Sequence, residues 1–235
     1  MNIFNDNKLI VFTHIPKTAG TFLLNKVIAH SLPSECCLRC AGFKSFIFTN
    51  KYKYYFFSGH IPYGFHHFTN KPIQYITFLR DPLERAVSYY YSIKEVDINM
   101  YKHPFRDYVD SLTLKQFYEN RRFQNIQTRF IAGYFSEKLY SIRHTKSLDD
   151  FILKKAKSHL INHYIWGIVE KLPESLELFH KRFDWKQTVD TVAYRKTKDR
   201  PKVSDLDGET LQTLRRTHML DLHLYDFALH RFDDQ

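Results

Sequence analysis

Residues 9–28 read LIVFTHIPKTAGTFLLNKVI. The opening run, Leu9-Ile10-Val11-Phe12, is continuously apolar and too short for a core helix, which predicts a strand covered on both faces, as in a parallel sheet. Beyond the turn, Leu23, Leu24, Val27 and Ile28 fall on one side of a helix. Strand, short loop and helix in this order form the unit of an α/β fold. A helix entered this way turns unpaired N–H groups and the positive end of its dipole toward whatever lies above the loop. The loop HIPKTAGT, residues 14–21, adds the mobile charge of Lys17, the hydroxyls of Thr18 and Thr21, and the backbone of Ala19 and Gly20. It is therefore competent to hold a phosphate- or sulfate-like anion. The Walker A order G-x-x-x-x-G-K-[ST] is absent, because the lysine precedes the glycine. An ordinary turn carrying a surface lysine is the plainer alternative for this octapeptide.

The 235 residues are 43% hydrophobic and 17% aromatic, and no linker or repeat interrupts them, so residues 1–235 are expected to form a single domain. Lysine and arginine number 35 against 25 acidic residues, a net charge of +10. Such a balance points to an anionic partner: a nucleotide, an acidic polysaccharide, nucleic acid or an acidic membrane. The basic residues are scattered, without a basic tail or a zinc-finger or homeodomain pattern, and no nucleic-acid partner is expected. Neither a signal peptide nor a stretch long enough to span a bilayer is present, so the expected location is cytoplasmic. Cys36, Cys37 and Cys40 crowd into five residues. That spacing suits neither a disulfide framework nor a four-ligand zinc site, and reduced thiols are expected, with a Cys37/Cys40 pair as the alternative. Nothing supplies closely spaced Asp, Glu and His ligands, so no metal is expected.

Residues 71–91, KPIQYITFLRDPLERAVSYYY, hold the second informative stretch. Ile73 to Leu79 reads as a buried strand, Asp81 as a helix N-cap, and Pro82 takes the first helical position, where proline is favoured. Arg80 thus stands at the carboxyl end of a strand, and Ser88 lies two turns into the helix, near the face of Asp81 and Arg85. Ligands of open α/β sheets gather outside the carboxyl strand ends, which sets Arg80 beside the Lys17 loop if the two strands are parallel neighbours. Two anion grips at one sheet edge suit a ligand with two separated phosphate-like groups. A salt bridge from Arg80 to Asp81 or Glu84 is the alternative.

The pair HIPKTAGT and FLRDPLERAVSYYY resembles the 5′-phosphosulfate loop and the 3′-phosphate motif of carbohydrate sulfotransferases that use 3′-phosphoadenosine 5′-phosphosulfate (PAPS), in the branch containing the heparan sulfate 2-O- and uronyl 2-sulfotransferases. FFSGHIPY, residues 56–63, is similar to the segment bearing that family's catalytic base, NIQTRFIAG, residues 125–133, to its Asn-x-x-x-Arg helix, and YIWGIVEKLPESLELF to its late strand and helix. The resemblance implies a P-loop-like three-layer α/β fold with a central, mostly parallel sheet flanked by helices. It implies PAPS as co-substrate, no metal, and a hydroxyl acceptor on a carbohydrate or glycoconjugate. Lys17, Thr18, Ala19, Gly20 and Thr21 would hold the 5′-phosphosulfate, and Arg80 and Ser88 the 3′-phosphate. Lys196, Lys198 and Arg200 of RKTKDRP would lie over the nucleotide, although this segment lacks the glycine that relatives carry. Related eukaryotic enzymes have an N-terminal membrane anchor, which this chain does not show.

Sulfuryl transfer requires in-line oxygens and a stabilised leaving phosphate, for which the flexible ammonium of Lys17 is suited. The acceptor hydroxyl must also lose a proton, and a histidine is the usual agent. Among thirteen histidines, His60 follows the aromatic run 51–57 and Ser58-Gly59, past the end of a third strand and on the same rim as Lys17 and Arg80. His66 and His67 are its runners-up, and His14 is expected to orient the loop. Asn125 and Arg129 share a helical face and are candidates for substrate contact, with capping or surface roles as the alternative. Two other functions fit parts of the sequence: a P-loop-type kinase, from the strand-loop-helix unit alone, and a non-catalytic basic protein that binds anionic polymers.

Overall fold

The computed structural model describes residues 8–40, 53–95, 103–142, 145–186 and 200–235. Its centre is a five-stranded sheet in the order β2-β3-β1-β4-β5, with every neighbouring pair parallel. The strands are β1 (Leu9–Thr13), β2 (Cys37–Cys40), β3 (Phe56–Gly59), β4 (Ile73–Leu79) and β5 (Tyr164–Ile168). Side chains alternate between two cores. Leu9, Val11, Phe57, Tyr75 and Leu79 face one side, where Ile152, Ala156, Leu160, Leu220, Leu224 and Ala228 cover them. Ile10, Phe12, Phe56, Ile76 and Phe78 face the other, against Leu23, Leu24, Val27, Ile28, Phe179 and Trp185. Burial on both faces explains why β1 reads as an unbroken apolar run. The sheet is wholly parallel among the described strands, somewhat more regular than the mostly parallel arrangement expected.

The helical segment after β1 runs through Gly20–Phe22, a π-helical stretch Leu23–Ile28, and Ala29–Ser31. The residues expected on its apolar face are all buried. Helix α2 (Pro82–Glu95) follows β4, and Asp81 caps it: Oδ1 accepts the N–H of Leu83 at 3.0 Å and of Glu84 at 2.8 Å. Helix α3 (Ile126–Ala132) and the long helix α4 (Lys146–His163) lead into β5, helix α5 (Leu172–Phe183) follows it, and α6 (Met219–His230) completes the layer over the first core. Strand β2 was not legible in the sequence, since CLRC carries no alternation or β-branched signal. No disulfide joins Cys36, Cys37 and Cys40. The third strand is also shorter than the aromatic run that announced it, beginning at Phe56.

β1 connects toward β2 on one side and β4 toward β5 on the other, so the reversal of strand order falls between β1 and β4. That is where an α/β sheet opens a crevice at its carboxyl edge. On the far side of β4, Phe78 is paired with Gly167, and a Cβ at Gly167 would lie 2.3 Å from the Phe78 ring. Gly167→Ala is accordingly expected to cost about 1–3 kcal/mol by overpacking, and to lower the melting temperature by about 2–4 °C per kcal/mol in thermal unfolding. Phe78→Leu in the same chain should recover part of the loss.

Candidate active site

At the crevice the first loop is held in an unusual shape. Lys17 (φ 70°) and Ala19 (φ 58°) both adopt left-handed conformations, which side-chain-bearing residues rarely take. Strain of this kind persists where the surroundings enforce it, and it marks functional loops. Two contacts enforce it here. The buried Thr18 hydroxyl donates to the Ile15 carbonyl at 2.8 Å, and the His14 ring lies so close over Gly20 that a Cβ there would sit 2.1 Å from it. Gly20 is therefore required by its neighbour. Thr18 uses its hydroxyl proton inside the loop, so its contribution to an anion would come from the backbone.

His14 joins the loop to the next strand. Its N–H donates to the Gly59 carbonyl at 2.9 Å, its ring stacks on Phe12 at 5.3 Å, and its own carbonyl lies 2.7 Å from His60 Nδ1. A carbonyl only accepts, so His60 Nδ1 carries the proton and Nε2 is left as the basic nitrogen. His60 is exposed to the cleft, whereas His14 is largely covered. Burial pushes the His14 imidazole from 6.5 down to about 3, with His60 and Arg39 acting in the same direction. Of the two, His60 is the imidazole that is open to the cleft. The runners-up lie elsewhere: His66 contacts Tyr75 Oη at 3.1 Å and stands 4.0 Å from the His67 ring, in a separate histidine-tyrosine cluster with Tyr63, His159 and His163.

Arg80 emerges from β4 toward the loop, and its Nη1 donates to the Lys17 carbonyl at 3.2 Å. The backbone of Arg80 is clamped by Gln127, whose Oε1 accepts the Arg80 N–H at 3.0 Å and whose Nε2 donates to the Arg80 carbonyl at 2.8 Å. Its guanidinium faces Glu84 at 3.6 Å and Glu170 at 4.0 Å, and Arg200 donates to the same Glu84 at 2.7 Å. Burial and the adjacent Arg200 lower the Arg80 pKa, while the two carboxylates oppose them. Ser88 is buried one turn beyond Glu84. Lys196 and Lys198 lie outside the described residues.

A cleft of about 860 Å³ opens above these elements. Lys17, Thr21 and His60 line it together with Arg85, Tyr89, Ser92, His103, Phe105 and Arg122. Arg85 is 1% exposed, and its Nε and Nη2 have no hydrogen-bond partner among the described residues. Arg122 lies over the Phe105 ring at 4.6 Å. Arg129 reaches the cleft floor, but its guanidinium also donates to the carbonyls of Arg122 (2.9 Å) and Gln124 (3.1 Å) and pairs with Glu137 at 2.8 Å. Asn125 does not line the cleft. Its Oδ1 accepts the N–H groups of Leu220 and Asp221 at the start of α6, and its Nδ2 donates to Tyr140 Oη at 2.9 Å. Among the described residues no group of Asp, Glu, His and Cys is arranged to hold a metal ion, and no helix is long and apolar enough to cross a membrane.

Sequence reading missed Arg85 and Glu170 as members of this edge, whereas the ion pair of Arg80 with Glu84 is the alternative it offered. Glu170 was within reach, because it directly follows the carboxyl end of β5 and the strand-end rule applies to it as it does to Arg80. Arg85 needed the helix orientation, since i and i+4 positions share a face but sequence does not say which face meets the cleft.

His14 also sets an acid limit. Its folded-state pKa is depressed, so the stability due to its neutral form is complete above about 6.5 and is lost as pH falls toward 3. His159, lowered to about 4, and His218, lowered to about 3, both mainly by burial, act in the same window. Thermal unfolding between pH 7.5 and 4 should show a steep fall below pH 6.5, and His14→Gln should flatten part of it.

No protein-family model matches the chain. Curated proteins do. The chain is 28% identical to mouse heparan sulfate 2-O-sulfotransferase 1, across 95% of its own length and 70% of the relative's. It is 25% identical to the human protein of that name, across 97% and 71%. It is 24% identical to zebrafish heparan-sulfate 6-O-sulfotransferase 1-B, across 97% and 66%. By sequence, over nearly its whole length, the chain is a distant relative of heparan sulfate sulfotransferases.

Proposed function

We propose that the protein is a PAPS-dependent sulfotransferase that moves a sulfuryl group to a hydroxyl of a carbohydrate or glycoconjugate. Sulfuryl transfer to a carbohydrate is supported by the relatives named above, which include both 2-O- and 6-O-sulfotransferases, so the position sulfated is left unassigned. The observation that carries the reading is the junction of the Lys17 loop, His60 and Arg80 at one sheet edge, with the Arg80 Nη1 to Lys17 carbonyl bond of 3.2 Å tying two strand ends together.

In this reading the 5′-phosphosulfate lies over residues 17–21, held by the Lys17 ammonium and by N–H groups at the start of the helix. The 3′-phosphate lies against Arg80 and Ser88, with Arg200 beside them, and the acceptor enters from the Tyr89–Arg122 end of the cleft. The acceptor oxygen gives its proton to His60 Nε2 as it bonds to sulfur, and the sulfur–oxygen bond to the 5′-phosphate breaks on the opposite side. Lys17 meets the charge that builds on the leaving phosphate. The His14 carbonyl holds the His60 tautomer and stabilises the imidazolium that forms. A kinase reading is weaker, since the loop lacks the Walker A order and the relatives are not kinases.

The test is transfer of labelled sulfate from PAPS to desulfated glycans by the wild-type chain and by two variants. His60→Ala should lower kcat by about 10²–10⁴-fold, and Lys17→Ala by about 10²–10³-fold, with melting temperatures close to wild type. Undiminished turnover in His60→Ala would remove it from the mechanism.

A further inference from the structure

Arg80 and Arg200, 120 residues apart in the chain, converge on one carboxylate oxygen. Arg200 Nη2 donates to Glu84 Oε2 at 2.7 Å, and Arg80 Nη2 lies 3.6 Å from the same atom. This arrangement leaves donors over. Among the described residues, Arg80 Nε and Arg200 Nη1 are buried without a hydrogen-bond partner, and the Glu170 carboxylate is 4.0 Å from Arg80 Nε, beyond hydrogen-bonding range. One guanidinium bonded to Glu84 and a second 3.6 Å from the same oxygen, each with an N–H unmatched among the described residues, form a donor surplus suited to an anion with more oxygens than a carboxylate offers.

Glu84 is not needed at this place to start its helix. At the third helical position a glutamate commonly reaches back to the N–H of the N-cap residue. Here the Asp81 N–H donates instead to Glu170 Oε1 at 3.1 Å, and Asp81 Oδ1 takes the N–H groups of Leu83 and Glu84. Glu170 is further anchored by the Tyr225 hydroxyl at 2.8 Å. The contacts of the Glu84 carboxylate are the two arginines.

We propose that the Glu84 carboxylate is an internal stand-in for the nucleotide's 3′-phosphate, displaced from Arg80 and Arg200 when that phosphate enters. The proposal rests on the PAPS reading, which assigns the 3′-phosphate to Arg80. Arg80 and Arg200 face Glu84 and Glu170 at this partly buried edge, so a dianion added with both carboxylates in place would meet their repulsion. Glu84 is the one that yields, because the phosphate takes its partners whereas Glu170 keeps its own. A nucleotide without the 3′-phosphate brings nothing to replace Glu84 and leaves it seated. Glu84 thereby makes entry to the site conditional on the 3′-phosphate and weakens occupation by smaller anions.

Calorimetric titration of the full chain with 3′-phosphoadenosine 5′-phosphate and with AMP, on wild type and Glu84→Gln, tests this. Glutamine keeps the shape and removes the competing charge. Binding of 3′-phosphoadenosine 5′-phosphate should tighten about tenfold in Glu84→Gln, while AMP affinity stays within about twofold. Unchanged or weaker binding of the 3′-phosphorylated nucleotide by a folded Glu84→Gln protein, with wild type still preferring it to AMP, would overturn the stand-in. A wild-type protein that shows no preference for the 3′-phosphorylated nucleotide would instead overturn the donor reading, and the stand-in with it.

Discussion

The functional edge depends on the peptide unit of His14. Its N–H is bound to Gly59 and its carbonyl to His60, so one residue fixes β1 against β3 and sets the proton-bearing nitrogen of the neighbouring imidazole. Its ring covers Gly20, next to the left-handed turns at Lys17 and Ala19. Burial keeps that ring neutral, which is consistent with an orienting role beside an exposed His60. Loop shape, tautomer and strand register are thereby coupled in one place, and a change at His14 is expected to disturb all three.

Charge is arranged around this frame with unequal satisfaction. Arg129 is matched by backbone carbonyls and Glu137, and it fixes the turn at residues 121–124. Arg80 and Arg200 are matched in part, and Arg85 retains unmatched donors at the cleft wall. Buried donors without acceptors are costly, so they concentrate where a ligand completes them.

Much of the fold was legible because parallel strands advertise themselves as apolar runs, and because Asp81-Pro82 and the helical face of Leu23 to Ile28 carry local signals. The positions of Lys17, His60 and Arg80 followed from the strand-end rule without knowledge of side-chain contacts. What stayed hidden depends on tertiary pairing. Asn125 reads as a cap or a ligand of its own helix, yet it caps α6 nearly a hundred residues away. Glu84 reads as one candidate partner of Arg80, but the second arginine on its carboxylate, Arg200, comes from 116 residues away and leaves no local signal. β2 was invisible because a four-residue strand at the sheet edge needs its partner more than its own sequence.

In the function proposed above, one sheet edge grips both ends of a 3′,5′-bisphosphorylated nucleotide. A crystal structure with 3′-phosphoadenosine 5′-phosphate tests it most directly. The expected result has the 5′-phosphate within hydrogen-bonding distance of Lys17 and the backbone of residues 18–21, and the 3′-phosphate against Arg80 and Ser88. A nucleotide bound in the reverse direction, or away from the His14–Arg80 edge, would contradict it.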